Sequence, residues 1–276
     1  MVRYDLHCHS TYSDGLLRPA EVVRRAAARG VDVLALTDHD ELAGIAEAQD
    51  EARAQGITLV PAAELSVTWE DETIHVVALH LDPANPALGA GLSGVRDGRD
   101  VRARRIGAAL ETAGIPGAFE GALKYVTSER LISRTHFARF LVDRGIVGDV
   151  KDVFKRYLTP GKPGYVPHAW ASMHDALSWI RGAGGQAVLA HPGRYKVGGN
   201  GMKRLIAEFR EEGGAGIEVL SSSHTSAQAA EFATLARVHG LLASCGSDYH
   251  GPGESWLDLG DLPPMPAGVT PVWTAW

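Results

Sequence analysis

Cysteine is scarce in this chain. Cys8 and Cys245 are too few among 276 residues for a disulfide framework, which points to a reducing cytosol. No apolar run reaches the roughly 18 residues that cross a bilayer, so no membrane partner is expected. Internal repeats and low-complexity tracts are also missing. Basic residues do not dominate: 27 Lys and Arg stand against 33 Asp and Glu, a formal net charge of −6. An acidic body argues against binding long duplexes, where affinity grows with the number of phosphates neutralised. The first motif that carries chemistry begins at residue 7, which leaves no room ahead of it for a secretory signal, so a cytoplasmic location is expected.

Histidines and carboxylates, by contrast, recur at the ends of apolar runs. The chain opens with His7-Cys8-His9, followed by Asp14, Thr37-Asp38-His39-Asp40, Glu64, His75, His191 and Ser247-Asp248-Tyr249-His250. Ligands scattered in sequence but matched in strand position can converge on one rim of a barrel. Imidazole with carboxylate suits manganese, iron or zinc. The pattern reads as a multinuclear metal hydrolase.

Charge is unevenly placed. Residues 90–165 hold 14 Lys and Arg against 8 Asp and Glu, and the remainder holds 13 against 25. A basic segment beside a metal site suits an anionic substrate.

Strand and helix signals alternate, which predicts an α/β fold with parallel strands and covering helices. Strands are expected at Arg3–Cys8, Val31–Leu36, Thr58–Val67, Ile74–Leu81, Ala187–Ala190, Gly216–Leu220 and Leu241–Ser244. Helices are expected at Pro19–Arg29, Glu41–Ala54, 173–183, 202–212 and 226–238. Residues 91–165 read as a helical insertion between 1–90 and 166–276, with helices at Val101–Ala113, Ile132–Arg144 and Asp149–Tyr157. The end, from Pro263 to Trp276, reads as an extended tail whose Trp273 and Trp276 pack on the body.

Side chains alternate faces along a strand. His7 and His9 therefore share a face, and Cys8 is a buried structural thiol on the other. By the same rule His75 is a ligand candidate, and His80 a packing or supporting residue. Asp248 and His250 can share a face, with Gly246 allowing close backbone approach. Asp38 is expected to orient His39.

The HCHSTYSDG start, TDHD, the Glu64 and His75 pair, AHP at 190–192 and SDYH resemble the polymerase and histidinol phosphatase (PHP) family along essentially the whole chain. The resemblance implies a distorted seven-stranded β/α barrel with three divalent metal ions, manganese first, with iron or zinc as alternatives. His7, His9, Glu64 and Asp248 would hold one ion. Glu64 would bridge to a second, completed by His75 and His191, and Asp14, His39 and His250 would hold the third. The insertion, with Ser133-Arg134-Thr135-His136-Phe137, and the run Ala190–Tyr195 resemble a bacterial subgroup. Its members act on nucleoside 3′,5′-bisphosphates and as 5′-to-3′ exonucleases on short RNA. Arg134 and Arg194 would then clamp phosphate, since a guanidinium fork fits it bidentately, with His136 and Lys196 as further candidates. A hydroxide between two ions would be the in-line nucleophile. His224 is a candidate general acid, with a supporting hydrogen-bond role as the alternative. The expected partner is a nucleotide or a short RNA with a 5′-phosphorylated terminus; the sequence assigns no oligomeric state. A histidinol-phosphate phosphatase and a non-catalytic metal-bearing module are the competing readings.

Overall fold

The computed structural model describes residues 2–127 and 131–276. Its strands are β1 (Tyr4–Asp5), β2 (Val33–Leu36), β3 (Thr58–Trp69), β4 (Glu72–Leu79), the two-residue β5 (Ala171–Ser172), β6 (Gln186–Leu189), β7 (Gly216–Ser221) and β8 (Leu242–Gly246). They pair in the order β1-β2-β3-β4-β6-β7-β8, with β5 beside β3. The ends of this order meet. Leu6 N–H donates to Cys245 O at 2.9 Å, and Cys8 bridges Tyr249 in parallel. The result is a nearly closed seven-stranded barrel.

The strands are not all parallel. β4 runs antiparallel to both β3 and β6. A two-residue hairpin, Glu70-Asp71, joins β3 to β4, with Trp69 paired to Glu72 and Glu70 at φ 50°. Such loops favour Asn-Gly or Asp-Gly, so Glu-Asp gives the sequence no hairpin signal. One consequence is positional. Because β4 is reversed, its beginning, not its end, lies on the functional rim.

Alternation along the strands sorts the layers. Leu6, Ala35, Val60, Ala62, Val77, Leu79 and Val188 form one buried cluster inside the barrel. Residues of opposite parity, such as Leu34, Leu36, Ala63 and Leu65, pack outward against helices. Helices α1 (Pro19–Ala28) and α2 (Ile45–Gln55) cover one side. Pro19 starts α1, where its missing N–H is harmless, and Gly30 follows the end at φ 76°.

Helix α3 (Pro86–Thr112) is 27 residues long, capped by the Asn85 side chain, and starts well before the expected Val101. Four glycines in its first half hide its helical pattern. Gly91 is required there, because a Cβ would lie 2.4 Å from the Trp179 ring. Leu88 and Leu92 pack on the barrel, whereas Ala103, Ile106 and Leu110 join a separate cluster. That cluster is completed by α4 (Ala118–Leu123), α5 (Arg134–Asp143) and α6 (Val150–Val153), which runs into a π-helical turn at Phe154–Leu158.

Helices α7 (Met173–Gly182), α8 (Gly198–Glu211) and α9 (Ser226–His239) cover the remaining strands. The C-terminal segment is not wholly extended. Pro271 bridges Ala243, and a 3₁₀ turn spans Val272–Ala275. Trp273 stacks on Tyr4 with centroids 3.9 Å apart. His80 lies beyond β4, exposed at the opposite end of the barrel, against Trp276. Among the described residues no helix is long and apolar enough to cross a membrane.

Candidate metal centre

Glu64 lies in the middle of β3, not at its end, and points inward with Ala62. His75 on β4 and Glu218 on β7 share that inner face by the same parity. Five imidazoles surround the Glu64 carboxylate. His7 Nε2 and His9 Nε2 each lie 3.3 Å and His39 Nδ1 3.0 Å from Oε2. His75 Nδ1 and His191 Nε2 each lie 2.9 Å from Oε1. Asp248 Oδ1 is 3.3 Å from His9 Nε2 and 3.5 Å from His7 Nε2. Asp14 Oδ1 is 3.3 Å from His250 Nε2 and 3.8 Å from His39 Nε2.

His7 and His9 reach the cluster together while Cys8 turns away, its Sγ 3.2 Å from Ala35 O. Gly246 lets β8 lie against His7, since a Cβ there would sit 2.1 Å from His7 Cβ. His191 and Asp248 have left-handed backbones, with φ 27° and 53°. Non-glycine residues held there are strained, a feature that gathers at functional sites.

These residues fit divalent metal. Among the described residues, His7 Nε2, His9 Nε2, Asp14 Oδ1, His39 Nδ1, Glu64 Oε2 and His191 Nδ1 are buried without a hydrogen-bond partner. Buried polar atoms are normally satisfied, so this many in one place calls for a shared cation. Four overlapping sets of donors could hold an ion: His9, Asp14, His39 and His250; His7, His9 and Asp248; His7, Glu64 and His191; and His39, Glu64 and His75. Burial opposes ionisation of Glu64, but His75, His7 and His39 hold its carboxyl well below the usual range. Burial likewise opposes ionisation of Asp248, and Arg194, His7 and His250 outweigh it. The anionic form suited to a cation is therefore favoured at both.

Sequence reasoning passed over the groups that orient this cluster. Glu218, nearly inaccessible, accepts from His7 Nδ1 at 2.7 Å and from His191 N–H at 2.5 Å. This fixes the His7 tautomer with its Nε2 lone pair toward Glu64. The signal was available as a lone acid within the apolar run Gly216–Leu220. Tyr195 Oη donates to Ala190 O at 2.6 Å and accepts from His75 N–H at 3.0 Å, pinning β4 to the 191–195 turn. Asp38 does not bond His39. It accepts from Ser10 N–H, Ser10 Oγ and Ser13 Oγ at 2.5–2.7 Å, and so shapes the loop carrying His9 and Asp14.

The start of α5 holds Asp14. Ser133 Oγ and Thr135 Oγ1 donate to Asp14 Oδ2 at 3.1 and 3.0 Å, and Arg139 Nη2 donates to Asp14 O at 2.6 Å. His136 has a capping role and is absent from the site wall. Its Nδ1 accepts from Ser133 N–H at 2.9 Å. Burial, opposed by Asp14 and reinforced by Arg139 and Arg99, pushes its pKa down to about 4. The neutral form is the folded one, so His136 contributes fully above pH 6.5 and loses its contribution as pH falls toward 4. Acidification from pH 7 to 5 is expected to remove about 2 kcal/mol through this residue. Urea unfolding at both pH values should show a shallower loss in His136→Gln; equal losses in the two proteins would discharge His136.

Arg134 borders a 190 Å³ pocket together with Arg99, Arg102, Trp170 and metal-cluster residues. Arg99 pairs with Asp40 and Ser66, Arg102 donates to Val166 O, and Arg134 donates to Leu158 O. Burial, then Arg134 and Arg99, lowers the Arg102 pKa to about 9. Arg99 went unread because the helix carrying it was expected to begin at Val101, whereas Arg102, inside that expected helix, was read only as part of the basic insertion. Arg194 lies against Asp248 and lines the same pocket. Lys196 is exposed and lines neither this pocket nor the larger groove beside it. Both His224 nitrogens are engaged by backbone: Nδ1 with Val219 O at 3.1 Å, and Nε2 with Gly193 N–H at 3.2 Å. That neutral tautomer leaves no proton on Nε2, contrary to the expectation of a general acid.

A PHP domain model matches residues 5–93. The chain is 54% identical over 273 residues to a 3′,5′-nucleoside bisphosphate phosphatase from Chromobacterium violaceum, covering 99% of this chain and 96% of the relative. It is 45% identical over 277 residues to the 5′-3′ exoribonuclease Rnm of Salmonella typhimurium, covering 100% of this chain and 94% of that one. A solved structure of an amidohydrolase from Chromobacterium violaceum, with bound sulfate and no metal, has 53% identity and a TM-score of 0.96, over 99% of this chain and 95% of that chain. Identity of this extent, over nearly every residue and on the same barrel, establishes kinship: the chain belongs to the PHP domain family.

Proposed function

We propose that this protein is a metal-dependent phosphoesterase acting on nucleoside 3′,5′-bisphosphates and, 5′ to 3′, on short 5′-phosphorylated RNA. The observation that carries this reading is the arginine pocket adjoining the imidazole–carboxylate cluster. At 190 Å³ it suits one phosphate-sized group, and four guanidinium groups, those of Arg99, Arg102, Arg134 and Arg194, border it. The nine residues of the cluster would hold up to three ions, with manganese the first choice for this donor set. When bound, such ions supply Lewis acidity and lower the pKa of water.

The register follows from the proposed direction of attack. A 5′-to-3′ exonuclease breaks the linkage on the 3′ side of its first nucleotide. The scissile phosphoryl then lies at the cluster and the terminal 5′-phosphate in the arginine pocket. The same register in a bisphosphate presents the 3′-phosphate for hydrolysis. Arg102 and Arg134 bind the terminal phosphate, Arg194 holds Asp248 toward the cluster, and His224 supports the 191–194 turn. The acidic remainder of the surface keeps long duplexes away, and the two buried free thiols suit a cytoplasmic setting.

The manganese-loaded protein is expected to prefer a 5′-phosphorylated short RNA to its 5′-hydroxyl counterpart, and adenosine 3′,5′-bisphosphate to histidinol phosphate. Arg102→Ala should lower kcat/KM on the bisphosphate by roughly 10–100-fold, as charge-assisted hydrogen bonds of 1.5–3 kcal/mol imply. A generic phosphomonoester should lose much less. Equal rates on both RNA ends, or preference for histidinol phosphate, would defeat the reading.

A further inference from the structure

Beside the metal cluster runs a second, larger groove of 860 Å³. Arg194, Asp248, His250 and Thr135 line both it and the arginine pocket, so the two spaces meet at the cluster. One wall is α6 and the turn that follows it, with Lys151 and Phe154; the other is the 252–256 segment. On that segment Trp256 is 73% exposed, the most exposed large aromatic among the described residues. The Lys151 ammonium lies 4.7 Å from the centre of the Trp256 ring. The acidic groups along the groove are already engaged: Glu254 pairs with Arg139 at 2.7 Å, and Asp149 caps α6.

We propose that this groove seats the RNA nucleotides downstream of the scissile linkage, with Trp256 as the stacking platform for a base and Lys151 facing the backbone. The proposal rests on the exonuclease reading above. A terminal phosphate in the small pocket and a scissile linkage at the cluster leave this groove as the continuous exit for the strand. Base stacking on an exposed aromatic beside a cation tolerates any sequence, because every base presents a π-face. A bisphosphate has no downstream nucleotide and would not use the platform.

The test compares wild type, Trp256→Ala and Trp256→Phe as metal-loaded full chains. The ratio of kcat/KM on a 5′-phosphorylated adenylate trimer to that on adenosine 3′,5′-bisphosphate is expected to fall about tenfold in Trp256→Ala, equivalent to about 1.4 kcal/mol of stacking. Trp256→Phe should recover most of it. Titration with the trimer should quench tryptophan fluorescence markedly more in wild type than in Trp256→Ala, where Trp170 at the arginine pocket still responds. An unchanged ratio together with unchanged quenching would overturn the proposal, as would an equal fall on both substrates. If wild type hydrolyses neither substrate, the functional reading fails, and the quenching measurement alone decides the groove.

Discussion

Glu64→Ala is expected to lose most of its metal and at least about 10³-fold in activity, more than the 10²–10³ typical for one electrostatic donor. Glu64 is, among the described residues, the one carboxylate within 3.3 Å of five imidazoles. It also enters two of the four donor sets. Its removal would leave those sets with nitrogen donors alone and place several buried imidazoles against one another without an anion. Burial alone disfavours their charged forms. Elemental analysis of purified protein, alongside its unfolding midpoint, separates metal loss from misfolding. Full metal content with full activity in Glu64→Ala would remove Glu64 from the centre of the site.

Glu218→Ala should weaken metal binding by about 10–100-fold, the effect typical of losing the hydrogen-bond partner of a ligating histidine. Glu218 touches two cluster residues from behind, the His7 ring and the His191 backbone. Without it, the His7 ring loses the acceptor that sets its tautomer, and the strained His191 backbone loses its anchor. A metal titration of activity should shift to higher concentration, with much of kcat regained at saturation. Glu218→Gln, which keeps one acceptor oxygen, should fall between. An unshifted titration would show that packing alone positions His7.

The residues that converge on the rim were legible because each interrupts or ends an apolar run, and polar atoms in such places need a reason to be buried. The barrel was legible in the alternation of strand and helix. What stayed hidden was set by pairs of distant residues. The reversal of β4 depends on a Glu-Asp hairpin that carries no glycine. Asp38 looked like a partner for its neighbour His39, yet its contacts are serines 25 and 28 positions earlier. Arg99 sits at the end of a glycine-rich stretch of α3 that reads locally as loop. There Trp179 packs against Gly91, a contact 88 residues away along the chain that no local reading supplies.

The seam where β1 meets β8 bears on the order of events during synthesis. His7 and His9 are synthesised well before Asp248 and His250, which follow more than 230 residues later. The sheet closes between these extremes, at Cys8 and Tyr249. Contacts so distant along the chain form late, because loop closure precedes their reward. Partial donor sets without Asp248, such as His39, Glu64 and His75, can assemble earlier. The donor sets are therefore expected to assemble in stages, and the one that needs Asp248 forms only after the last strand has joined the first.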